Sequence, residues 1–234
     1  MDELKKIVSS SDNIVFFGGA GVSTESGIPD FRSSNGLFNE KYRFPPETML
    51  SYDFFKSNMA EFYEFYINKM IHLDAKPNKA HIKLAELEAA GKLKAIITQN
   101  IDGLHQMAGS KNVLELHGSV HRNNCMSCGN TYDVDVLLKE NRIPLCTCGS
   151  VIKPDVVLYG EGLDSHILSE AVRFISDADV LIIGGTSLNV YPAAGLINYY
   201  KGNKLVLINK SATSFDGRAD LVINESIGQV LDDL

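Results

Sequence analysis

Four cysteines come in two tight pairs, Cys125-Met-Ser-Cys128 and Cys146-Thr-Cys148, separated by 17 residues. Two thiolate pairs at that distance can close a tetrahedral four-sulfur zinc site, in which protein fills every position and the metal is structural. The second pair is C-x-C, so its turn cannot be the usual zinc knuckle. Gly129 and Gly149 follow the pairs, where tight turns would want them. Two unrelated pairs of free thiols are the plainer alternative. A second group of residues suits anion binding. The apolar run Ile14–Phe17 stops at Gly18, Gly19 and Gly21, and the polar Ser23, Thr24, Glu25 and Ser26 follow. This reads as a buried strand, a glycine turn and a helix start, where backbone free of Cβ atoms and unpaired N–H groups can approach a pyrophosphate. The plainer alternative is a tight turn in any α/β protein. A third group sits at two further strand ends: Gln99-Asn100-Ile101-Asp102 after Leu93–Thr98, and His117-Gly118 after Val113–Leu116. Asp102 also suits a helix cap, and a lone histidine after a strand is commonly structural.

The elements that must carry these groups follow from the hydrophobic pattern. Residues 2–11 predict a short amphipathic helix, and residues 77–90 another, with Ala80, Leu84 and Leu87 on one face and Gly91 at its end. Apolar strands are expected at Ile14–Phe17, Leu93–Thr98, Val113–Leu116, Asp179–Ile183, Lys204–Ile208 and Leu221–Ile223. Helices are expected at Ser165–Phe174, Ala193–Tyr200 and from Ile227. Strands alternating with helices imply a Rossmann-like, doubly wound parallel sheet, in which ligand groups gather at the carboxyl ends of the strands. Pro29 closes the glycine-turn element, and the turn-rich loop Ser33-Ser34-Asn35-Gly36 could fold over a ligand.

Two segments interrupt this alternation. Residues 37–74 are crowded with aromatics (Phe38, Tyr42, Phe44, Tyr52, Phe54, Phe55, Phe62, Tyr63, Phe65, Tyr66), expected to form the core of a helical module. Residues 121–153 hold the cysteines. Together they are expected to make a small domain, with residues 1–36, 75–120 and 154–234 forming the larger, Rossmann-like dinucleotide-binding domain. A net charge of −7 over 234 residues argues against a general nucleic-acid surface. The charged N-terminus carries no secretory pattern, and no run approaches the ~20 apolar residues of a membrane span. Paired cysteines without such a signal favour metal over disulfides and a cytoplasmic chain.

The string Gly19-Ala-Gly-Val-Ser-Thr-Glu-Ser-Gly-Ile-Pro-Asp-Phe-Arg32 closely resembles the signature of the sirtuin family, the NAD-dependent protein-lysine deacylases. Thr98-Gln-Asn-Ile-Asp-Gly-Leu-His105 and Glu115-Leu-His-Gly118 match two further signatures in the family's order, of bacterial type. The common dinucleotide fingerprint G-x-G-x-x-G is not kept, since Thr24 stands where its third glycine would be.

The resemblance implies a site. Ala20, Thr24, Thr186, Ser187, Asn209 and Ile227 would contact the phosphates and adenosine half of NAD. Phe31, Arg32, Gln99, Asn100, Ile101 and Asp102 would surround the nicotinamide ribose. His117 would be the general base, with Asn100 the second catalytic residue. A peptide would add as a strand between Val157–Glu161 (Val157, Tyr159, Gly160, Glu161) and Leu188–Tyr191 (Asn189, Val190), placing acetyl-lysine opposite NAD. NAD would be consumed, giving nicotinamide and O-acetyl-ADP-ribose. Family members that prefer acidic acyl groups carry Tyr-x-x-Arg, where this chain reads Tyr63-Glu-Phe-Tyr66; a neutral acetyl group is therefore expected. A monomer acting on acetyl-lysine proteins, without nucleic acid or membrane, completes the expectation. The rival on the same scaffold is a mono-ADP-ribosyltransferase. A non-catalytic zinc-ribbon binding protein would be favoured by loss of Asn100, Asp102 or His117, all of which are present. A dehydrogenase would need an acidic residue on a second strand ~20 positions past the glycine turn, where this chain has a loop.

Overall fold

The computed structural model describes residues 1–33, 36–139 and 143–234. Residues 34 and 35 of the expected covering loop, and 140–142 of the cysteine segment, lie outside the described residues. Helix α1 (Asp2–Ser9) buries Leu4, Ile7 and Val8. Strand β1 (Ile14–Gly18) is buried at every position, as a strand covered on both faces must be.

After β1 the expected helix start is instead two single 3-10 turns, Ala20–Val22 and Thr24–Ser26. An α-helix would give the Val22 carbonyl to the Ser26 N–H. Here the Asn78 side chain donates to it at 2.8 Å, the Ser26 N–H turns to Ser23, and Gly27 at φ 84° ends the run.

The helical module follows as α2 (Pro46–Met49), α3 (Tyr52–Ser57) and α4 (Met59–Met70). All ten of the aromatics singled out above pack in one cluster, so the core reading holds. Then come α5 (Lys79–Ala89), β2 (Leu93–Thr98), α6 (Leu104–Met107) and β3 (Val113–Glu115). The cysteine segment contributes β4 (Gly118–Cys125), β5 (Thr131–Tyr132), α7 (Asp135–Leu138) and β6 (Ile152–Val156). The chain closes with α8 (Ser165–Asp177), β7 (Val180–Gly184), a 3-10 segment at Ala193–Tyr199, β8 (Lys204–Ile208), β9 (Leu221–Ile223) and α9 (Ile227–Asp232).

Six parallel strands form one sheet in the order β3-β2-β1-β7-β8-β9. Successive side chains of β1 serve opposite faces: Ile14 and Phe16 pack with α1, α5 and α9, while Val15 and Phe17 pack with α8 and the Ala193–Tyr199 segment. This is the doubly wound α/β fold. Its order reverses at β1, which puts the switch-point crevice between β1 and β7. A separate antiparallel sheet, β5-β4-β6, carries the cysteines. It begins at Gly118 and ends at Val156, reaching past the boundaries expected at 121 and 153. Among the described residues no helix is long and apolar enough to cross a membrane.

Candidate active site

Strand register decides what meets at the crevice. Gly18 of β1 pairs with Thr98 of β2 and with Gly184 of β7; Thr98 pairs with Glu115, and Gly184 with Ile208. Five strands therefore end on one line, and the residues just past them, Gly19, Gln99, His117, Gly185 and Asn209, gather along one edge.

The floor of the crevice is backbone against backbone. The Gly21 N–H donates to the Gly185 carbonyl at 2.8 Å. A Cβ on Gly21 would sit 2.8 Å from Gly185, and one on Gly19 would sit 2.8 Å from the Thr186 Cβ. These glycines are thus required by the loop they touch, not only by an approaching anion. Ala20 and Thr24 lie in the two 3-10 turns, and the Thr24 hydroxyl bonds the Gly21 carbonyl.

Beside the floor a polar network crosses from β2 to the glycine turn. Ser23, almost fully buried, donates its hydroxyl to Asp102 at 2.6 Å and accepts the Asn100 side-chain amide at 3.0 Å. Asp102 also accepts the Leu104 N–H at 2.9 Å, so it caps α6 locally while reaching the crevice. The Gln99 amide donates to Thr186 Oγ1 at 3.1 Å, tying the β2 loop to the β7 loop. Ser23 reads in the sequence only as a helix-start residue. Its bridging role depends on partners 77 and 79 positions away.

His117 lies in the turn between β3 and β4. Its Nδ1 is 2.9 Å from the Gln99 carbonyl oxygen. A carbonyl only accepts, so Nδ1 carries the proton and Nε2 keeps a free lone pair. Burial pushes the imidazole below its ordinary 6.5, only partly offset by that hydrogen bond. The ring is therefore a neutral base at neutral pH. Gly118 makes the turn possible: φ is 77°, and a Cβ there would run into the Asp155 carbonyl.

The remaining expected residues are spread around this centre. Phe31 packs edge-on against Phe38 at 5.5 Å, and Arg32 lies over Phe38 and 3.7 Å from Glu47. Ile101 joins the aromatic cluster. Asn209 follows β8 and donates its amide to Ser211. Ile227 opens α9, is almost buried and reaches Gly184. Glu25 fastens that helix by accepting the Gly228 N–H and the Ser226 hydroxyl. In the expected peptide segment the Val157 N–H donates to His117, and Tyr159 pairs with Leu50 and Tyr52 of the helical module. Glu161 folds back on Leu158 and pairs with Lys153 at 3.0 Å, leaving Gly160 exposed at φ 93°. In the second expected peptide segment Ser187 and Asn189 are exposed and Val190 half-buried, with Leu188 at φ 57°.

Away from the crevice, the sulfurs of Cys125, Cys128, Cys146 and Cys148 lie within 4.8 Å of one another. The Cys125–Cys148 and Cys128–Cys146 sulfurs are 3.5 and 3.6 Å apart. A tetrahedral zinc with bonds of about 2.3 Å needs sulfurs about 3.8 Å apart, so the donor set fits. Gly129 and Gly149, at φ 73° and 85°, close the two turns. The Cys148 N–H and the Tyr132 hydroxyl hold the Cys146 thiol down to about 5, the ionised form a metal binds.

A model of the Sir2 family matches residues 19–192. An NAD-dependent protein deacetylase of Clostridium acetobutylicum is 65% identical, covering 99% of this chain and 96% of the relative. One from Clostridium perfringens is 63% identical with the same coverage. Among known structures, a Sir2 protein with deacetylated p53 peptide and 3'-O-acetyl ADP ribose superposes with a TM-score of 0.92 at 41% identity, over 99% of this chain and 95% of that one. A Sir2–p53 peptide–NAD+ complex gives 0.88 at 42% identity, over 100% and 96%. The family match runs through the glycine turn, the Gln99–Asp102 loop, His117 and both cysteine pairs, and the chain belongs to the Sir2 family.

Proposed function

We propose that this protein removes acetyl groups from protein lysines, consuming NAD and releasing nicotinamide and O-acetyl-ADP-ribose, with a structural zinc in its four-cysteine cluster. The observation that carries the reading is His117: a neutral imidazole whose tautomer is fixed by the Gln99 carbonyl, next to the Asn100–Ser23–Asp102 network at the switch point. Similarity over almost the full length to NAD-dependent protein deacetylases supports it.

The residues present suit a dinucleotide. Half-buried amides of Gln99, Asn100 and Asn209 and the buried hydroxyl of Thr186 edge a crevice whose floor carries no side chains. When bound, NAD would supply the anomeric ribose carbon from which nicotinamide leaves and the ribose hydroxyl that takes the acyl group. In this reading Asn100 and Asp102 orient the nicotinamide half, while Ala20, Thr24, Thr186, Ser187, Asn209 and Ile227 line the rest. Phe31 and Arg32 cover it from the helical module. His117 Nε2 takes the proton of a ribose hydroxyl, and its Nδ1–H stays on Gln99 throughout. Holding both reactants in line lowers the barrier further. The peptide docks along Val157–Glu161 and Asn189–Val190.

The acyl group is neutral in this reading. Tyr63 gives its hydroxyl to the Ile152 carbonyl, and Tyr66 is fully buried with its phenol held in the protonated form by burial. Neither offers a charge partner to an acidic acyl group. The proposal includes a cytoplasmic monomer without nucleic-acid partners, and a division into a dinucleotide-binding unit and a small unit of residues 37–74 and 121–153. Incubation of an acetyl-lysine peptide with and without NAD, beside a succinyl-lysine peptide, tests the reading. Deacetylation should require NAD, exceed desuccinylation and fall by at least about 10²-fold in His117→Ala. Turnover without NAD, or undiminished in the variant, would end it.

A further inference from the structure

We propose that His121 and Arg122 are positioning residues through which the zinc ribbon holds the two catalytic turns; the inference rests on the deacetylase reading. Strand β4 runs from the His117–Gly118 turn to the cysteine Cys125, so it links the catalytic base to the metal cluster within one element. Its ladder with β6 is irregular between Gly118 and Asn123. Irregularities of this kind re-aim side chains, and here one backbone N–H and two side chains from consecutive residues bond to the loop after β2 and to β3. The Val120 N–H donates to the Ile101 carbonyl at 2.9 Å. His121 Nε2 lies 3.0 Å from the Asp102 carbonyl, which fixes Nε2 as the donor. Arg122 donates to Glu115 at 2.7 Å and to Asp155 at 2.9 Å.

Each grip lies one step from the chemistry. Asp102 carries the carboxylate that Ser23 bonds, and Ser23 in turn accepts Asn100. Glu115 is buried two residues before His117, with its other oxygen on Gln106. Gly103 sits at φ 73°, and a Cβ there would come within 2.7 Å of the His121 ring. The loop backbone is thus pressed directly on the imidazole, leaving no slack between β4 and the Asn100–Asp102 segment. A shift of β4 at its metal end must move both turns.

His121→Phe keeps a ring against Gly103 and removes the donor; His121→Gln restores an amide donor at similar reach. Three quantities are measured in each variant: kcat and KM for NAD, amide exchange across residues 99–104, and zinc content. In His121→Phe and His121→Ala we expect exchange in 99–104 to rise and kcat to fall about five- to tenfold, the worth of one hydrogen bond, with zinc retained. The Gln variant should recover most of both. Stripping zinc from the wild type should raise exchange in the same segment, and in His121→Phe should add little further, because coupled perturbations are not additive. An equal rise on stripping in both proteins, or a Phe variant indistinguishable from wild type, overturns the proposal. A wild type that shows these exchange changes but no NAD-dependent deacetylation would refute the deacetylase reading and leave the coupling standing.

Discussion

Lowering the pH from 7 to 5 should remove a large part of this protein's stability through two buried histidines. His81 of α5 and His105 of α6 have 0% and 1% exposure, and their ring centroids are 4.7 Å apart. His81 Nδ1 accepts the Asn78 N–H in the cap of α5, while His81 Nε2 and both ring nitrogens of His105 have no partner among the described residues. Burial pushes His81 from 6.5 to about 4, against a smaller opposing pull from Asp102. Burial, reinforced by His81, pushes His105 to about 3. Both folded values are depressed, so the unfolded chain binds the extra protons. Stability from these groups is intact well above pH 6.5. It falls as pH drops through that value, until the folded rings themselves titrate near 4 and 3.

At pH 5 each unfolded imidazole is almost fully charged and each folded one almost neutral. The cost is about 1.36 kcal/mol per unit over the 1.5 units below 6.5, or about 2 kcal/mol per histidine. The pair gives about 3–4 kcal/mol between pH 7 and 5, against a total of roughly 5–15 kcal/mol for a folded domain. Carboxylates with ordinary values near 4 stay ionised over this range and contribute little. Urea unfolding at pH 7, 6 and 5, on wild type and His105→Phe, measures the effect. The variant should lose about 1 kcal/mol less than wild type between pH 6 and 5. Parallel curves for the two proteins, or a wild type equally stable at pH 5 and 7, would refute the reasoning.

Three further outcomes follow from the structure. Gly118→Ala should cost at least about 2 kcal/mol in thermal unfolding, because it combines positive φ with a backbone clash. Gly27→Ala, at φ 84° with open space around it, should cost about 1 kcal/mol. The acid limb of kcat/KM should have its midpoint below pH 6.5, since burial disfavours the charged form of His117. A midpoint above 6.5 would show that the ring is stabilised as a cation.

The large sheet was legible because its strands are mostly apolar runs. Val180–Gly184 is buried at every position, and a run like Val-Leu-Ile-Ile has few places to go except between two layers of helices. The zinc cluster was legible because thiol spacing survives any fold. The small sheet was not. Strand β4 reads Gly-Ser-Val-His-Arg-Asn-Asn-Cys, with no alternation, because its partners are a zinc ribbon and two catalytic turns rather than a uniform core. The 3-10 turns after β1 were hidden for a related reason. The group that takes the Val22 carbonyl from the helix is Asn78, 56 positions on, and no local propensity records it. The site's polar residues were visible as types, but which of them touch was set by strand register.

That register also explains why the chemistry sits where it does. A parallel sheet sealed on both faces leaves one place where polar groups can meet a ligand without a buried penalty: the line where the strands stop. On either side of β1 the chain leaves the sheet in opposite directions, so the loops diverge and a crevice opens. Here the β1 and β7 loops meet at the bottom through Gly21 and Gly185, neither with a side chain to fill the space above. A side chain on either would push the loops apart and shift Thr186, the partner of Gln99, whose carbonyl fixes the tautomer of His117. The glycine turn and His117, 96 positions apart in the chain between Gly21 and His117, are therefore linked through three hydrogen bonds. The glycines therefore set the position of the His117 ring as well as the width of the crevice.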